Sequence, residues 1–322
     1  MAPVSTAENL VYSEPQATRA GLVFKPVTAA DSASINRIVS LSRSFTCDYT
    51  VGGIVMWADY FKYSYCIYLD TLFIMGVEEN HPELTAFSCP VGSLPLPEAI
   101  EVLDTYCRQE QLPLRFSAIP ADKLACFTTL NPECQIEELA DWADYVYEAE
   151  TFATLAGKKM AKKRNHVNHF ATEHPQFCVE PLNRQNALEA LEAMRQWEHA
   201  LSNTPAADSR REEFEQVEHV LRNLALYPFE GLVLRTRPGA PVVAFSAAEI
   251  IGPMAFVHIE KMDHICGGAG ETIAHLLMKR LTATHPEVRY VNREEDCGDP
   301  GLRRAKESWH PAMLLKKYNI TF

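Results

Sequence analysis

One predicted strand in the second half carries residue types that could do chemistry. It ends His258-Ile259-Glu260-Lys261, and strand alternation places His258 and Glu260 on the same face. A glutamate inside a sheet can have a raised pKa and act as a general base. The alternative is structural, with Glu260 in an ion pair and His258 in a simple hydrogen bond.

A glycine-rich loop follows this strand and opens the next predicted helix. Backbone N–H groups at a helix N-terminus bind phosphates, and glycine lets a ligand approach the backbone. The loop could therefore cradle a pyrophosphate or ribose phosphate, although a flexible turn is the alternative. The cradle residues would be Gly267, Gly268, Ala269 and Gly270.

A basic, helix-forming segment spans residues 155–169 and includes Arg164. Helical periodicity places six cationic or titratable side chains on one broad face: Lys158, Lys159, Lys162, Lys163, His166 and His169. The formal net charge is −12 at pH 7, so binding of RNA or an anionic lipid headgroup would have to be local. The alternative is a solvated face whose cations pair with Glu138, Asp141 or Asp144.

The C-terminal region has an unusual charge arrangement. A short β run, residues 288–292, stops in Arg293-Glu294-Glu295-Asp296, and Asp299-Pro300 then predicts a helix start with aspartate as N-cap. That helix brings Arg303, Arg304 and Lys306 near the acidic run. A salt-bridged surface corner is the alternative to a functional role.

The composition indicates a globular protein of about two domains. The 322 residues include no apolar run long enough to span a membrane. Nine scattered cysteines without a C-x-x-C pair indicate a reduced, cytoplasmic protein without a disulfide framework or zinc site. G-x-S-x-G and H-E-x-x-H are absent, so neither a hydrolase nucleophile elbow nor that metalloprotease motif is supported.

Both halves repeat one plan of strand, turn, strand, Gly/Pro break, helix and strand. In the first half the pattern predicts a strand pair at residues 65–77 with a turn near Asp70, strands at 84–89 and 113–119, and a helix at 96–110. In the second half it predicts strands at 231–236, 242–251, 254–262 and 288–292 and a helix at 271–284. We therefore predict an α/β (α+β) protein with a flexible tail at residues 1–20, a structural domain at 21–150 and a catalytic domain at 151–322.

Several stretches together resemble the family built around the C-terminal domain of bacterial phosphatidylglycerol lysyltransferase, particularly its soluble, stand-alone branch. The resemblance covers most of the chain from about residue 22. It is carried by Tyr290-Val291-Asn292-Arg293-Glu294-Glu295-Asp296, Gly301-Leu302-Arg303-Arg304-Ala305-Lys306, Trp309-His310-Pro311, Gly157-Lys158-Lys159, Lys163-Arg164-Asn165-His166, His258-Ile259-Glu260-Lys261, Cys47-Asp48-Tyr49-Thr50 and Met56-Trp57.

The resemblance implies two tandem acetyltransferase-like (GNAT-like) folds, each a mixed, mostly antiparallel sheet flanked by helices. It also implies transfer of an aminoacyl group from aminoacyl-tRNA to a small-molecule, peptide or lipid-headgroup acceptor, without an obligatory cofactor. Acyl-CoA is the alternative donor, but the usual CoA loop begins with Arg or Gln, where this chain has His264 followed by Gly267 and Ala269. A non-catalytic binding protein with the tandem fold is the third possibility.

The resemblance also suggests roles for particular residues. Glu260 would be the base, assisted by His258. Arg293, Glu294 and Arg303 would shape the acceptor pocket or lock the C-terminal helix. The basic face, including Lys158, Lys159, Lys162, Lys163 and Arg164, would hold the tRNA acceptor stem.

Overall fold

The computed structural model describes residues 21–78, 81–201 and 207–322, and the predicted tail at residues 1–20 lies outside them. Within these residues the chain forms two mixed sheets flanked by helices. The first half contains β1 (Lys25–Pro26), α1 (Ser32–Val39), β2 (Ser64–Tyr68), β3 (Thr71–Val77), β4 (Thr85–Phe87), β5 (Val91–Gly92), α2 (Leu96–Glu110), β6 (Arg115–Pro120), α3 (Leu124–Leu130) and β7 (Gln135–Glu138).

The rest of the chain builds mainly the second sheet. Its elements are β8 (Asp144–Glu148), α4 (Ala149–Thr154), α5 (Ala161–Glu173), β9 (Cys178–Pro181), α6 (Arg184–Leu201), α7 (Ala207–Arg222), β10 (Phe229–Arg235), β11 (Val242–Ile251), β12 (Met254–Met262), α8 (Ala269–Thr284), β13 (Tyr290–Asn292), α9 (Pro300–Glu307), β14 (Met313–Leu315) and β15 (Lys317–Thr321). None of the helices in the described part of the chain has the length and apolar character needed to cross a membrane.

Each sheet contains one parallel pair joined through a helix. In the first sheet β4 leads through α2 to β6, which pairs parallel to β4 at Phe87 and Phe116. In the second, β12 leads through α8 to β13, and the two strands pair parallel over residues 254–256 and 290–292. The other described strand pairs are antiparallel. The predicted repeated plan of two mixed, mostly antiparallel sheets flanked by helices is confirmed.

The division of strands between the sheets crosses the predicted boundary at residue 150. The strand β8 lies in the second sheet, whereas β15 returns from the C-terminal end to lie between β6 and β7 in the first. Burial explains the return, because Ile320 of β15 is fully buried in the first-half core with Phe116 and Phe127.

A β-bulge interrupts β12 at His258. Ala247 of β11 faces Ile259 and Ala248 faces Val257, so His258 is the extra residue. After the bulge, Ile259 packs into a core shared by both halves, while Val257 packs into the core under α8. Glu260 lies on the same side of the sheet as Val257, so the prediction that His258 and Glu260 share one face is wrong.

Candidate functional site

The second sheet opens where β12 and β13 separate. Their parallel pairing ends at Phe256 and Asn292, although β12 continues to Met262. The chain after β13 stays with β8 instead, since the Arg293 N–H donates to the Tyr145 carbonyl at 3.0 Å. Side chains fill the space between the separated strand ends, which we call the strand cleft: Glu260 and Arg293 lie in it, and Lys163, Glu271 and Trp309 border it.

An ion pair spans the strand cleft. Arg293 Nη2 donates to Glu260 Oε1 at 2.5 Å, and each side chain is 14% exposed. The second guanidinium nitrogen, Arg293 Nη1, is buried and has no hydrogen-bond partner in the described residues. Because a buried charged donor without an acceptor is costly, this nitrogen is a candidate contact for an incoming oxygen atom.

An aromatic wall supports the cleft. The rings of Phe152 and Trp309 stack with centroids 4.2 Å apart. The Arg293 guanidinium lies 5.4 Å from the Trp309 centroid, and Lys163 Nζ lies 4.6 Å from the same ring. Cation–π attraction thus holds two cations on one indole.

Lys163 differs from the predicted solvated face. Its side chain turns inward, where Nζ lies 3.4 Å from Glu271 Oε1, and the residue is only 8% exposed. Burial lowers the pKa of Lys163, although Glu271 opposes that shift. Lys163 is therefore part of the strand cleft and does not belong to the exposed basic face.

Three other lysines of the predicted basic face are exposed: Lys158, Lys159 and Lys162. Lys158 and Lys159 lie in the turn before α5, and Lys162 lies in its first turn. Among the described residues none of them forms an ion pair. The carboxylates considered as their partners are engaged elsewhere: Glu138 with Lys316, Asp141 with Arg303, and Asp144 with Lys317.

Two predicted substrate-binding arginines have structural contacts. Arg164 donates to the carbonyls of Leu155 and Gly157 and so closes the turn before α5. Arg303 bonds both carboxylate oxygens of Asp296 at 2.8 Å and also reaches Asp141. This geometry favours the helix-locking role of Arg303 over substrate binding.

The glycine-rich loop is open on one side only. Gly268 is the N-cap of α8 with φ +81°, and a Cβ there would lie 2.4 Å from the His166 carbonyl oxygen of α5. A Cβ at Gly270 would meet Met262, and Ala269 is buried. Gly267 and His264, in contrast, are exposed, and a Cβ at Gly267 would meet nothing within 4 Å. A phosphate would have to approach at Gly267.

His258 lies on the opposite face, in a buried bridge between the two halves. Its Nδ1 is 2.7 Å from Glu294 Oε1, and its Nε2 is 3.4 Å from Glu249 Oε2. Burial lowers the pKa of His258, but the two carboxylates outweigh burial and raise the pKa to about 9. A protonated, enclosed imidazole is unsuited to the assisting-base role, and the geometry makes His258 a positioning residue.

The bridge continues to the first half through Glu249. Its two carboxylate oxygens accept the N–H groups of Val51 and Gly52 at 3.0 Å each. A Cβ at Gly52 would lie 2.4 Å from the His258 ring, so only glycine allows this approach. Glu294, at φ +59°, reaches the imidazole from the other side and so joins the bridge instead of the strand cleft.

A second buried bridge surrounds Lys317. Its Nζ lies 2.7 Å from Asp144 and 2.8 Å from Asp48, with Glu295 at 3.6 Å and the Cys47 sulfur at 3.4 Å. Burial raises the pKa of Asp48 to about 6, although Lys317 opposes the shift. Cys47, Asp144 and Glu295 have ligand atoms within 4.8 Å of one another, but the lysine ammonium already provides the cation among these carboxylates.

The sequence analysis missed Glu249, Lys317 and the aromatic wall. Glu249 and Lys317 carry charges within buried strand positions, which is a usable signal for a buried ion pair. Trp309 was included in the resemblance, but its contact with Phe152 spans more than 150 residues and has no local signature.

One family profile matches most of the chain. A family profile described as "Phosphatidylglycerol lysyltransferase, C-terminal" matches residues 39–321. An uncharacterized protein of Mycoplasmoides gallisepticum is 23% identical over 183 residues, which is 55% of either chain. The chain therefore matches about half the length of that curated relative.

Solved structures extend the likeness over nearly the whole chain. A conserved protein of unknown function from Bacteroides thetaiotaomicron has a TM-score of 0.85 and 27% identity, covering 94% of this chain and 99% of that one. The C-terminal domain of a putative lysylphosphatidylglycerol synthetase from Agrobacterium fabrum has a TM-score of 0.63 and 14% identity, covering 91% and 92%. L-PGS from Bacillus licheniformis has the same score and identity, covering 92% and 93%. At 14% identity the likeness shows the fold alone.

Proposed function

The chain belongs to the family of phosphatidylglycerol lysyltransferase C-terminal domains, and from this premise we propose that it moves an aminoacyl group from aminoacyl-tRNA to an acceptor. The reaction class, acyl transfer, is the one that membership supports. The acceptor would present an amine or a hydroxyl group and could be a small molecule, a peptide or a lipid headgroup.

The observation that carries the proposal is the unsatisfied Arg293 Nη1 beside Glu260. When an amine or hydroxyl attacks an ester carbonyl, the carbonyl oxygen gains negative charge and the nucleophile loses a proton. Arg293 Nη1 would donate to that oxygen, and Glu260 would accept the proton. The ester C–O bond to the tRNA ribose would then break, and the departing ribose oxygen would take the proton from Glu260 and leave as a hydroxyl group. Because Arg293 binds only Oε1 of Glu260 in the described residues, Oε2 is available for the nucleophile.

The surroundings of the cleft fit a polyanionic donor. Lys162 and Lys163 are consecutive in α5, yet Lys162 is exposed and Lys163 reaches the strand cleft. Phosphates of a tRNA acceptor stem would bind Lys158, Lys159 and Lys162 outside, while the aminoacyl end enters beside Lys163. This arrangement supports tRNA binding despite the acidic net charge.

Acyl-CoA is the second candidate donor, favoured by the open approach at Gly267. The close contact of Gly268 with α5 leaves a CoA pyrophosphate access to only one side of the loop. The two donors therefore predict different binding sites, namely the exposed lysines for tRNA and Gly267 for CoA.

The test measures binding and transfer with the full chain. Binding to bulk aminoacylated tRNA and to acetyl-CoA is compared at low and moderate salt, and label leaving the tRNA is followed with amine and hydroxyl acceptors. We expect saturable tRNA binding that weakens steeply with salt, and weaker binding by the Lys158→Glu, Lys159→Glu, Lys162→Glu variant.

The matched control places three acidic substitutions away from the cleft, at Lys62, Lys279 and Arg280, which are also exposed. Equal tRNA affinity in the two triple variants would refute the assignment of the tRNA site. Binding of acetyl-CoA alone would refute the aminoacyl-tRNA donor.

A further inference from the structure

A cavity of about 570 Å³ lies in the first half, away from the strand cleft. It lies beyond the carboxyl ends of the parallel pair β4 and β6. Residues that follow β4 (Cys89 to Leu94) form one wall, and Pro120 and Lys123, at the end of β6, lie opposite. The crevice outside the carboxyl ends of parallel strands is a recurrent place for small-molecule ligands, and this volume is within their usual range.

The cavity wall is strongly cationic for so acidic a protein. Arg37, Arg43 and Lys123 line it, and Asp70 is the carboxylate among the lining residues. Asp70 pairs with Arg37 at 3.3 Å, but this pair is exposed and weak. Arg43 forms no ion pair with any described residue. Lys123 pairs at 2.9 Å with Asp122, which does not line the cavity, so Arg43 is the lining cation that no described carboxylate neutralises.

A buried hydroxyl in the same cavity lacks an acceptor. Tyr49 lines the cavity and is 4% exposed, yet its hydroxyl group has no hydrogen-bond partner among the described residues. Buried polar groups are nearly always paired, so this hydroxyl group is a candidate contact for a ligand atom. Three serine hydroxyls, from Ser42, Ser44 and Ser93, also line the cavity.

The helix that follows the wall is poorly suited to bind an anion by its backbone. The N-cap of α2 is Pro95 and its second residue is Pro97, and proline has no N–H group to offer. An anion here would have to be held by side chains. Arginine forms paired hydrogen bonds with phosphate, and the three cations suit a doubly charged group better than a single carboxylate.

We infer that this first-half cavity binds a phosphate-bearing small molecule, with Arg37 and Arg43 on the phosphate and Tyr49 on a polar group of the ligand. The first half is then a binding module whose site is separate from the strand cleft. The inference does not depend on aminoacyl transfer, because the two sites share no residue.

Calorimetric titration of the full chain with sodium pyrophosphate tests the inference, with malonate as a dicarboxylate comparison. The Arg37→Ser, Arg43→Ser variant should lose about tenfold or more in pyrophosphate affinity. The Arg108→Ser, Lys279→Ser variant has the same charge change at exposed positions outside the cavity and should bind like the native chain.

The Tyr49→Phe variant tests whether the Tyr49 hydroxyl group contacts a ligand or only supports the fold. Since the hydroxyl has no partner in the protein, its removal should leave the melting temperature unchanged or higher while pyrophosphate affinity falls several-fold. Absence of saturable pyrophosphate binding, equal affinities in the two double variants, or malonate binding as tightly as pyrophosphate would each overturn the inference.

Discussion

The parallel pairs β4/β6 and β12/β13 follow the same connection, but their carboxyl ends differ. Beyond β12 and β13 the space is filled by the Arg293–Glu260 ion pair, the aromatic wall and Lys163. Beyond β4 and β6 it is an open cavity with cations in its wall. The same connection therefore occurs in both halves, and the side chains at the strand ends decide whether the space beyond it is filled or open.

The N-termini of α8 and α2, the helices of these two connections, also differ. The helix α8 begins Ala269-Gly270 after an N-cap glycine, so it retains the backbone N–H groups that bind anions. The helix α2 begins after Pro95 and contains Pro97 in its first turn. The second half can use the backbone to hold an anion, whereas the first half has to use arginine and lysine side chains.

The largest effect is expected where the two halves are joined. Lys317→Met removes the ammonium from Asp144, Asp48 and Glu295, and should lower the free energy of unfolding by about 3–5 kcal/mol at pH 8. Urea unfolding measures this loss of stability, and Lys316→Met, at the exposed neighbouring lysine, is the control. The loss should shrink at pH 5, where the carboxylates take up protons in place of the ammonium; a loss that grows on acidification would contradict this explanation.

Catalysis should depend on the second half alone. Arg293→Met removes the proposed donor to the developing oxyanion and should lower kcat for aminoacyl transfer by about 10²–10³-fold. Single-turnover transfer measures the effect, with Arg304→Met as an exposed control on α9. Glu260→Gln should also slow transfer. Full activity in the Arg293→Met variant would show that the strand cleft takes no part in the transfer reaction.

The His258 bridge predicts a pH dependence of stability. The folded pKa of about 9 lies above the ordinary histidine value of 6.5, so the stabilisation is complete below pH 6.5 and is lost as pH rises through 9. The free energy of unfolding should fall by up to about 3 kcal/mol over that range. His258→Gln should remove most of this dependence of stability on pH, whereas the control His81→Gln, at an exposed histidine, should leave it unchanged. An unchanged pH dependence in the His258→Gln variant would show that other groups cause it.

The smallest of these effects tests how α5 covers the second-half loop. Gly268→Ala should lower the free energy of unfolding by about 2 kcal/mol, because φ is positive and the new Cβ would meet the His166 carbonyl. Gly267→Ala has open space and is the matched control. Similar stabilities would mean that α5 moves away easily, and the loop would then be open to a phosphate on both sides.

Local patterns were enough to predict many of the elements. The bounds of α2, β11 and β12 match the structure to the residue, because periodicity and Gly/Pro breaks are both local. The return of β15 to the first sheet was not predicted, since its partners β6 and β7 lie about 200 residues away. The His258 bulge depends on the register between β11 and β12, which alternation along one strand does not reveal.

The sequence suggested candidate site residues, but it did not show which of them lie together. Glu260 and Arg293 were both recognised as candidates, yet nothing in their spacing shows that they form one ion pair. His258 and Glu294 were assigned to the same site, but the bulge and the positive φ of Glu294 place them in the buried bridge. Grouping of this kind comes from tertiary contacts, which one sequence does not contain.

The position of β15 has a consequence for synthesis on the ribosome. Strands β6 and β7 of the first sheet are separated by β15, which is translated long after both of them. Until residues 317–321 emerge, the nascent first half has two unpaired strand edges and lacks the buried Ile320. N-terminal domains usually fold before the rest of the chain is made, but the first sheet of this chain cannot be completed before β15 is made. The first sheet is completed only once β15 has been made, and until then those edges are exposed to other nascent chains.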